Sequence, residues 1–235
     1  MRIAMWSGPR NLSTAMMYAF GNRADFAVVD EPFYAVYLAR TGLAHPMRAE
    51  VLAAQSDDPE TVIQALTGPI PGNKPHFYQK HMCHHMIDGV PRDWIGGMRN
   101  VFLIRHPARV VASYSEKHDE RTLEALGFVQ QAEIFDTVAG DNPIVIDSHD
   151  IRADPEGMLR RLCAALDLDW DPGMLHWPAG GHPSDGAWAP HWYGAVHRST
   201  GFAGAEGALP DLTGEAAELA EAALPYYRRL EAVKL

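Results

Sequence analysis

Residues 2–20, RIAMWSGPRNLSTAMMYAF, contain the clearest structural signal in this 235-residue chain. The first part, from Arg2 to Trp6, is a short apolar run of the kind that forms a buried strand. The cluster Ser7-Gly8-Pro9-Arg10-Asn11 favours a tight turn, and the apolar spacing from Leu12 to Phe20 favours a helix. The sequence therefore predicts a strand, a turn and a helix in direct succession.

Similar strand and helix patterns alternate along the chain. Further strands are predicted at residues 26–29, 76–80, 100–104 and 143–147. Helices are predicted at residues 33–39, at two places before residue 67, and at residues 107–116, 122–139 and 154–166. Strands that alternate with helices form a doubly wound parallel sheet, and ligands bind beyond the carboxyl ends of its strands. We expect a P-loop-like α/β fold in a single domain, residues 1–235.

Two segments near the end of the chain differ from this alternation. Residues 170–209 are rich in Trp, His, Gly and Pro and have little periodicity, which is typical of a functional loop or a lid. Residues 215–233 have a clear amphipathic pattern and predict a C-terminal helix. We find no internal repeat and no linker that would divide the chain.

The composition describes a globular protein. Hydrophobic residues make up 47% and charged residues 21% of the chain, which is sufficient for a buried core. A formal net charge of −10 argues against a nucleic-acid binder, which needs clustered Lys and Arg. No apolar run reaches the length of a membrane span, and residues 1–10 lack the apolar stretch of a secretory signal. We expect a cytoplasmic protein that binds neither membrane nor nucleic acid, with Cys83 and Cys163 as free thiols.

The turn after the first strand has the features of an anion-binding loop. Gly8 is flexible, Arg10 carries a positive charge, and Ser13 and Thr14 lie where the helix begins. The first N–H groups of a helix have no partner within it, and the helix dipole favours an anion there. The nucleoside triphosphate pattern G-x-x-x-x-G-K-[ST] is not met, because its second Gly and its Lys are absent. Alone, the pattern is explained equally well by simple helix capping beside a solvated arginine.

A second cationic signal follows the strand at residues 100–104. Arg105 ends this strand, and Ser113 lies two turns along the helix that begins after His106-Pro107. A guanidinium and a hydroxyl in these positions converge on one phosphate group. By itself the segment is explained by an ordinary surface arginine at a helix start, but the two signals together favour phosphate binding.

These two segments resemble the 5′-phosphosulfate loop and the 3′-phosphate site of the sulfotransferase superfamily. Arg10 stands where the family loop has Lys or Arg, and Ser13 and Thr14 match its pair of hydroxyls. Arg105 and Ser113 keep the family's spacing of eight residues. Within the superfamily, the chain is similar to bacterial members that open with SGPRNLST and continue with DEPFY. The resemblance covers about the first half of the chain.

The resemblance implies that 3′-phosphoadenosine 5′-phosphosulfate is the co-substrate, with no metal and no bound cofactor. It implies a small-molecule acceptor whose hydroxyl or amine receives the sulfuryl group. Two separate cationic pockets would hold opposite ends of the nucleotide. The donor-binding residues carried over are Gly8, Pro9, Arg10, Asn11, Leu12, Ser13, Thr14, Arg105 and Ser113. Because an arginine is always charged, we expect Arg10 to neutralise the leaving phosphate rather than to donate a proton.

The family loop often has Gly-Thr-Thr after its cation, whereas this chain has Asn11-Leu12-Ser13-Thr14. The loop backbone of this chain is therefore expected to be less free to approach the phosphate.

Two residues are candidates for the base that takes the proton of the acceptor. Glu31 follows the strand at residues 26–29 and resembles the acidic base of several superfamily branches. His81 is similar to the histidine of the Lys-Thr-His segment in cytosolic members, although here it follows Lys80 directly. Helix capping by Glu31 and a structural role for His81 are the alternatives. We prefer Glu31 as the base, with Lys80 and His81 beside the acceptor or the sulfuryl group.

A third basic loop lies in the late segment, at His197-Arg198-Ser199-Thr200-Gly201-Phe202. Its position is similar to that of the family's late Arg-Lys-Gly loop, which implies that residues 198–201 close over the 3′-phosphate. Three roles are open to the nearby Trp188, Trp192 and Tyr193: stacking on adenine, shaping the acceptor pocket, or packing in the core. The sequence favours none of these roles over the others.

Three other functions are compatible with these patterns. The apolar-then-acidic run at residues 26–31 is typical of a magnesium-binding strand and favours an ATP- or GTP-dependent kinase of the P-loop class. A metal site is indicated by His81, Cys83, His84 and His85, although their spacing does not match zinc sites. The third alternative is a non-catalytic nucleotide-binding protein on the same fold.

Overall fold

The computed structural model of the chain describes residues 1–115 and 122–235. Five strands form one parallel sheet. They are β1 (Arg2–Ser7), β2 (Phe26–Asp30), β3 (His76–Met82), β4 (Arg99–Ile104) and β5 (Ile144–Asp147). The order across the sheet is β2-β3-β1-β4-β5, so β1 lies at the centre, between β3 and β4.

Helices connect the strands and follow the last of them. The α-helices are α1 (Ser13–Gly21), α2 (Tyr34–Thr41), α3 (Arg48–Ala54), α4 (Pro59–Thr67), α5 (Pro107–Ser115), α6 (Leu123–Leu126), α7 (Phe128–Val138), α8 (Ser148–Ala153), α9 (Pro155–Ala165), α10 (Ala189–Trp192), α11 (Gly194–His197) and α12 (Gly214–Glu231). Short 3₁₀ helices lie at Pro71–Asn73, Cys83–His85, Asp93–Gly97, Ala139–Asp141 and Pro172–Leu175.

The side chains of β1 alternate between two apolar cores, one on each face of the sheet. Ile3 and Met5 pack with residues of α1 and α9. Ala4 and Trp6 pack on the opposite face, with residues of α5, α7 and α12. All four side chains are fully buried. A parallel sheet covered by helices on both faces is the doubly wound α/β fold, so the predicted fold class is confirmed.

The predicted elements agree closely with the structure, with one notable difference. Each predicted strand lies within two residues of the observed one. The single helix predicted at residues 122–139 is instead divided into α6 and α7. Gly127 ends α6 with φ +74°, a left-handed conformation that interrupts a helix. The helix predicted at residues 107–116 matches α5, and Glu116 lies outside the described residues.

The last third of the chain covers the sheet. Residues 170–209 are mostly irregular and contain short helical turns and an isolated bridge between His176 and Gly201. Helix α12 packs on α5 and α7, and its Tyr227 hydroxyl donates to Asp147 Oδ2 at the end of β5, at 2.7 Å. Cys83 and Cys163 are buried free thiols. Within the part of the chain that is described, no helix has both the length and the apolar character needed to cross a bilayer.

Candidate functional site

One cavity lies at the carboxyl ends of β1, β2, β3 and β4, where a parallel sheet of this type binds its ligands. Its volume is about 410 Å³. The predicted site residues that line it are Pro9, Arg10, Asn11, Leu12, Ser13, Thr14, Glu31, Lys80, Arg105, Ser113, Ser199 and Gly201. The structure therefore brings the predicted anion loop, the second cationic signal and the preferred base together.

The loop between β1 and α1 is fixed against the end of β4. The Asn11 side chain is buried, and its Nδ2 donates to the Leu103 carbonyl oxygen at 3.0 Å. Arg105 Nη1 donates to the Arg10 carbonyl oxygen at 2.6 Å. These two hydrogen bonds tie the loop to the end of β4, so the start of α1 faces the cavity in a defined orientation.

Arg10 connects the two predicted phosphate sites. Its Nε donates to Ser113 Oγ at 2.8 Å, which places the guanidinium between the loop and α5. The two cationic groups thus line one continuous cavity rather than the two separate pockets expected from the sequence.

Two cavity-lining residues have unusual backbone conformations. Arg10 has φ +62° and Glu31 has φ +38°, values that non-glycine residues adopt at an energetic cost. Strain of this kind persists where the surrounding structure enforces it, and it is concentrated at functional sites. Both residues lie where a strand of the sheet ends, so the strain belongs to the cavity itself.

A buried charge cluster lies beside the preferred base. Lys80 is 1% exposed, and its Nζ donates to Asp30 Oδ1 at 2.8 Å, to Glu31 Oε1 at 2.6 Å and to Tyr193 Oη at 2.6 Å. Burial by itself lowers the pKa of Lys80, but the two carboxylates outweigh this effect and raise the pKa. The lysine therefore remains charged and holds both carboxylates in place.

The two carboxylates of the cluster differ in their access to the cavity. The Asp30 side chain is 1% exposed and accepts hydrogen bonds from Tyr193 Oη and from the Gly186 N–H. The Glu31 side chain is 11% exposed and lines the cavity. Burial raises the pKa of Glu31, and the charge of Lys80 opposes that rise only in part. A carboxylate with cavity access and a raised pKa has the properties of a general base.

The cavity wall beyond Glu31 is aromatic and rich in imidazole groups. Tyr34 stacks on His85 with ring centroids 4.7 Å apart, and its hydroxyl lies 3.0 Å from His45 Nδ1. Burial lowers the pKa of both histidines, which keeps their rings neutral at neutral pH. This wall also includes Met82, His84, Tyr114, Trp192 and Tyr193. It therefore presents ring faces and neutral hydrogen-bonding groups to the cavity.

His81 lies outside this cavity. Its ring is 1% exposed, stacks on Trp6 with centroids 4.4 Å apart, and has Nε2 3.2 Å from Gln79 Oε1. Burial lowers the pKa of His81 to about 3. Successive side chains of a strand point to opposite faces, so His81 points away from Lys80. The expectation that His81 lies beside the acceptor or the sulfuryl group is corrected accordingly.

Three more predicted residues do not line the cavity. Gly8 lies behind the loop, where a Cβ atom would come within 2.5 Å of the Leu126 carbonyl oxygen. The absence of a side chain at Gly8 permits this close approach. Arg198 and Thr200 are exposed and line a separate depression beside residues 154–156. They follow α11 and are not among the residues that line the cavity beside Arg105.

The packing of side chains bears on two further sequence hypotheses. Trp188 is buried and donates to Tyr193 Oη at 2.9 Å, so it is a core residue, whereas Trp192 reaches the cavity. Two histidines of the suggested metal site are held in separate ring stacks, His81 on Trp6 and His85 on Tyr34. Among the residues that the structure describes, no three His, Cys, Asp or Glu side chains form a group that could hold a metal ion.

A sequence profile of the sulfotransferase domain matches residues 1–234, almost the whole chain. The chain belongs to this sulfotransferase family. The sulfotransferase of Alicyclobacillus acidocaldarius has a similar fold, with a TM-score of 0.60 and 11% identity over 98% of this chain and 94% of that one. The sulfotransferase domain of the Synechococcus PCC 7002 olefin synthase gives a TM-score of 0.51 and 17% identity over 94% of each chain.

A longer plant protein is a closer relative in sequence. Branched-chain-amino-acid aminotransferase-like protein 1 of Arabidopsis thaliana is 40% identical over 203 residues, which is 85% of this chain. The chain spans 36% of the length of that relative. The name of the longer protein is therefore not carried over to this chain.

Sequence reasoning missed three charged residues beside Arg105. Glu206 has a side chain that is 2% exposed, and it forms ion pairs with Arg105, Arg109 and Arg152. Arg109 lies one helical turn after Arg105, and Arg152 follows β5. Both positions lie beyond the carboxyl ends of strands, where ligand-binding residues are expected, and this placement could have indicated them from the sequence. Glu206 lies in a stretch of Gly and Ala residues and has no comparable signal.

We expect Lys80→Met to leave the carboxylates of Asp30 and Glu31 buried without a counter-charge. At pH 8 the free energy of unfolding should fall by about 3–5 kcal/mol, the typical cost of breaking a buried ion pair. Without the ammonium, the pKa of Glu31 rises further above its ordinary value of 4.5. The folded variant then binds a proton more tightly than the unfolded chain, so its stability is lost as the pH rises from 4.5 through the raised pKa.

Urea unfolding at pH 5 and pH 8 measures this effect. The difference in the free energy of unfolding between the unsubstituted protein and Lys80→Met should be smaller at pH 5 than at pH 8. Lys74→Met, at an exposed lysine, is the control and should change little at either pH. If Lys80→Met lowers the free energy of unfolding by the same amount at pH 5 and at pH 8, the assignment of a buried, protonatable cluster is contradicted.

Proposed function

We propose that this sulfotransferase takes its sulfuryl group from 3′-phosphoadenosine 5′-phosphosulfate and transfers it to a hydroxyl or an amine of a small-molecule acceptor. One observation carries the proposal: the loop of residues 9–14, the pair Arg105 and Ser113, and the carboxylate of Glu31 line the same cavity. Its volume of about 410 Å³ lies within the range of small-molecule sites.

The phosphosulfate end of the donor is assigned to the loop and the first turn of α1. The first N–H groups of a helix have no intrahelical partners, and Ser13 and Thr14 add two hydroxyl donors at that position. Arg10 supplies a positive charge beside them. The 3′-phosphate is assigned to Arg105 and Ser113, and the contact between Arg10 and Ser113 at 2.8 Å supports the view that the two ends of the donor are bound cooperatively.

The transfer needs the acceptor atom, the sulfur and the leaving phosphate oxygen in line, so positioning and electrostatics dominate. Glu31 takes the proton of the acceptor as the acceptor atom bonds to sulfur. The bond between sulfur and the bridging phosphate oxygen breaks, and the oxygen keeps the electron pair. Arg10 and the helix N–H groups stabilise the charge that develops there. The products are the sulfated acceptor, adenosine 3′,5′-bisphosphate and a proton on Glu31.

The surroundings of Asp30 disfavour the kinase alternative. A magnesium-binding aspartate needs oxygen atoms that face the metal and the nucleotide. Here the Asp30 oxygens accept hydrogen bonds from Lys80, Tyr193 and the Gly186 N–H, and the side chain is almost fully buried. The proposed location is the cytoplasm, where the buried Cys83 and Cys163 remain thiols.

Turnover of the donor tests the proposal. The protein is incubated without magnesium with 3′-phosphoadenosine 5′-phosphosulfate and a panel of alcohols, phenols and amines, and formation of adenosine 3′,5′-bisphosphate is measured. We expect product formation that depends on at least one acceptor. Donor binding without turnover for any acceptor would favour the non-catalytic alternative, and magnesium-dependent consumption of ATP would favour the kinase.

Glu31→Gln separates the chemistry from donor binding. We expect kcat to fall by about 10²–10⁴-fold, the typical contribution of a general base, because the amide cannot take the acceptor proton. Affinity for adenosine 3′,5′-bisphosphate, measured by calorimetry, should stay nearly unchanged. Glu218→Gln on the exposed side of α12 is the matched control and should retain full activity. Full activity of Glu31→Gln would remove Glu31 from its role as the base.

A further inference from the structure

Three arginines converge on one internal carboxylate at the edge of the sheet. Glu206 Oε1 accepts from Arg105 Nη2 and, at 2.9 Å, from Arg152 Nη1. Glu206 Oε2 lies 3.0 Å from Arg109 Nε. The Glu206 side chain is 2% exposed, and the three arginine side chains are between 12% and 24% exposed. The carboxylate is therefore enclosed by guanidinium groups.

The three arginines come from elements that the sheet places side by side. Arg105 follows β4, Arg109 lies in the first turn of α5, and Arg152 lies in α8 directly after β5. The strands β4 and β5 are neighbours, and Ser148 Oγ donates to the Ile104 carbonyl oxygen at 2.9 Å. The cluster is thus built on the rigid part of the fold, whereas Glu206 comes from an irregular segment.

The charge of the cluster suits a ligand with more negative charge than one carboxylate. The three guanidinium groups and the single carboxylate of Glu206 leave a net charge of +2. Arg105 Nε is also buried without a hydrogen-bond partner. A phosphate monoester carries about −1.5 to −2 charges and three acceptor oxygens, so it matches the three arginines better than a carboxylate does.

The segment that carries Glu206 is suited to leave this position. Residues 203–205 and 207–209 are exposed on both sides of it and form no regular secondary structure. The Gly204 carbonyl oxygen accepts from Arg152 Nε at 2.8 Å, and the Gly207 carbonyl oxygen accepts from Arg109 Nη2. The same arginines that hold the carboxylate also hold this backbone, which we call the strap (residues 203–207).

The cluster adjoins the cavity of the proposed donor. Arg105 and Ala203 both line that cavity, so the strap and the first arginine of the cluster form part of its wall. A ligand group that enters along this wall reaches the arginines where the Glu206 carboxylate now lies.

We propose that Glu206 is an internal stand-in for the 3′-phosphate of the donor. Arg105, Arg109 and Arg152 hold its carboxylate in the free protein and exchange it for the phosphate when the nucleotide binds, which releases the strap. The inference rests on the proposed function, and it adds Arg109 and Arg152 as residues that determine specificity for a 3′-phosphorylated nucleotide.

Nucleotide affinity tests the exchange. The full chain and its Glu206→Gln variant are titrated with adenosine 3′,5′-bisphosphate and with adenosine 5′-monophosphate by calorimetry. We expect Glu206→Gln to bind the bisphosphate at least about fivefold more tightly, because the amide competes less well than the carboxylate for the arginines; this is the lower end of the usual range for coupling between two ligand sites. The affinity for the monophosphate should be unchanged. Asp211→Asn, which removes an exposed negative charge close to the strap, is the matched control and should bind both nucleotides like the unsubstituted protein.

The outcomes separate the two proposals. If the unsubstituted protein does not bind the bisphosphate, the proposed function fails. If it binds, but Glu206→Gln binds equally or more weakly, then Glu206 supports the arginines and the exchange is wrong. An equal gain for both nucleotides would also overturn the proposal, since it would show a general charge effect.

Limited proteolysis of the unsubstituted protein gives a second test that needs no variant. Binding of adenosine 3′,5′-bisphosphate should increase cleavage within residues 203–207, because the released strap loses its contacts with the arginines. Adenosine 5′-monophosphate should leave cleavage there unchanged. A decrease with the bisphosphate would show that the strap closes over the nucleotide with Glu206 in place, and would overturn the exchange.

Discussion

The hydrogen bond from the Arg105 guanidinium to the Arg10 carbonyl oxygen, at 2.6 Å, is the contact on which the proposed site depends. It joins the segments that follow β1 and β4, two neighbouring strands at the centre of the sheet. Through it, the backbone of the anion loop is held in a left-handed conformation at Arg10, and the Arg10 side chain can reach Ser113 on α5. The proposed site for both ends of a phosphorylated nucleotide is thereby fixed before any ligand arrives, which would lower the ordering cost of binding.

The buried cluster around Lys80 likewise fixes the position of Glu31, the proposed base, before any ligand binds. Two carboxylates in a dry interior are costly unless they are paired, and Lys80 and Tyr193 satisfy both. Asp30 takes the deeper position, so Glu31 keeps its access to the cavity. The strained backbone at Glu31 is then stable because strand β3 supplies the lysine opposite the end of β2. The position of Glu31, the proposed base, therefore depends on the register of β3 against β2.

The fold, and the residues of the anion loop and of the Arg105 segment that line the cavity, could be predicted because their signals are local. The run from β1 to α1 and the pair Arg105 and Ser113 each lie within a short stretch of sequence. The pairing of Lys80 with Asp30 spans 50 residues and needs the register of β3 against β2. The direction of the His81 side chain depends on the register of the same strand, because a shift of one residue moves every side chain to the opposite face of the sheet. The contact of Glu206 with Arg105 spans 101 residues and joins an irregular segment to the sheet, so no periodic pattern indicates it.

The central claim is that Arg10 and Arg105 hold the phosphate groups of one nucleotide. The most direct test is the affinity of Arg10→Ala and Arg105→Ala for adenosine 3′,5′-bisphosphate, measured by calorimetry without magnesium and at fixed salt. Each variant should bind at least about tenfold more weakly, the usual effect of losing a charged hydrogen bond, while Arg228→Ala at an exposed position of α12 binds normally. Undiminished affinity in both cavity variants, with the fold intact, would contradict this account.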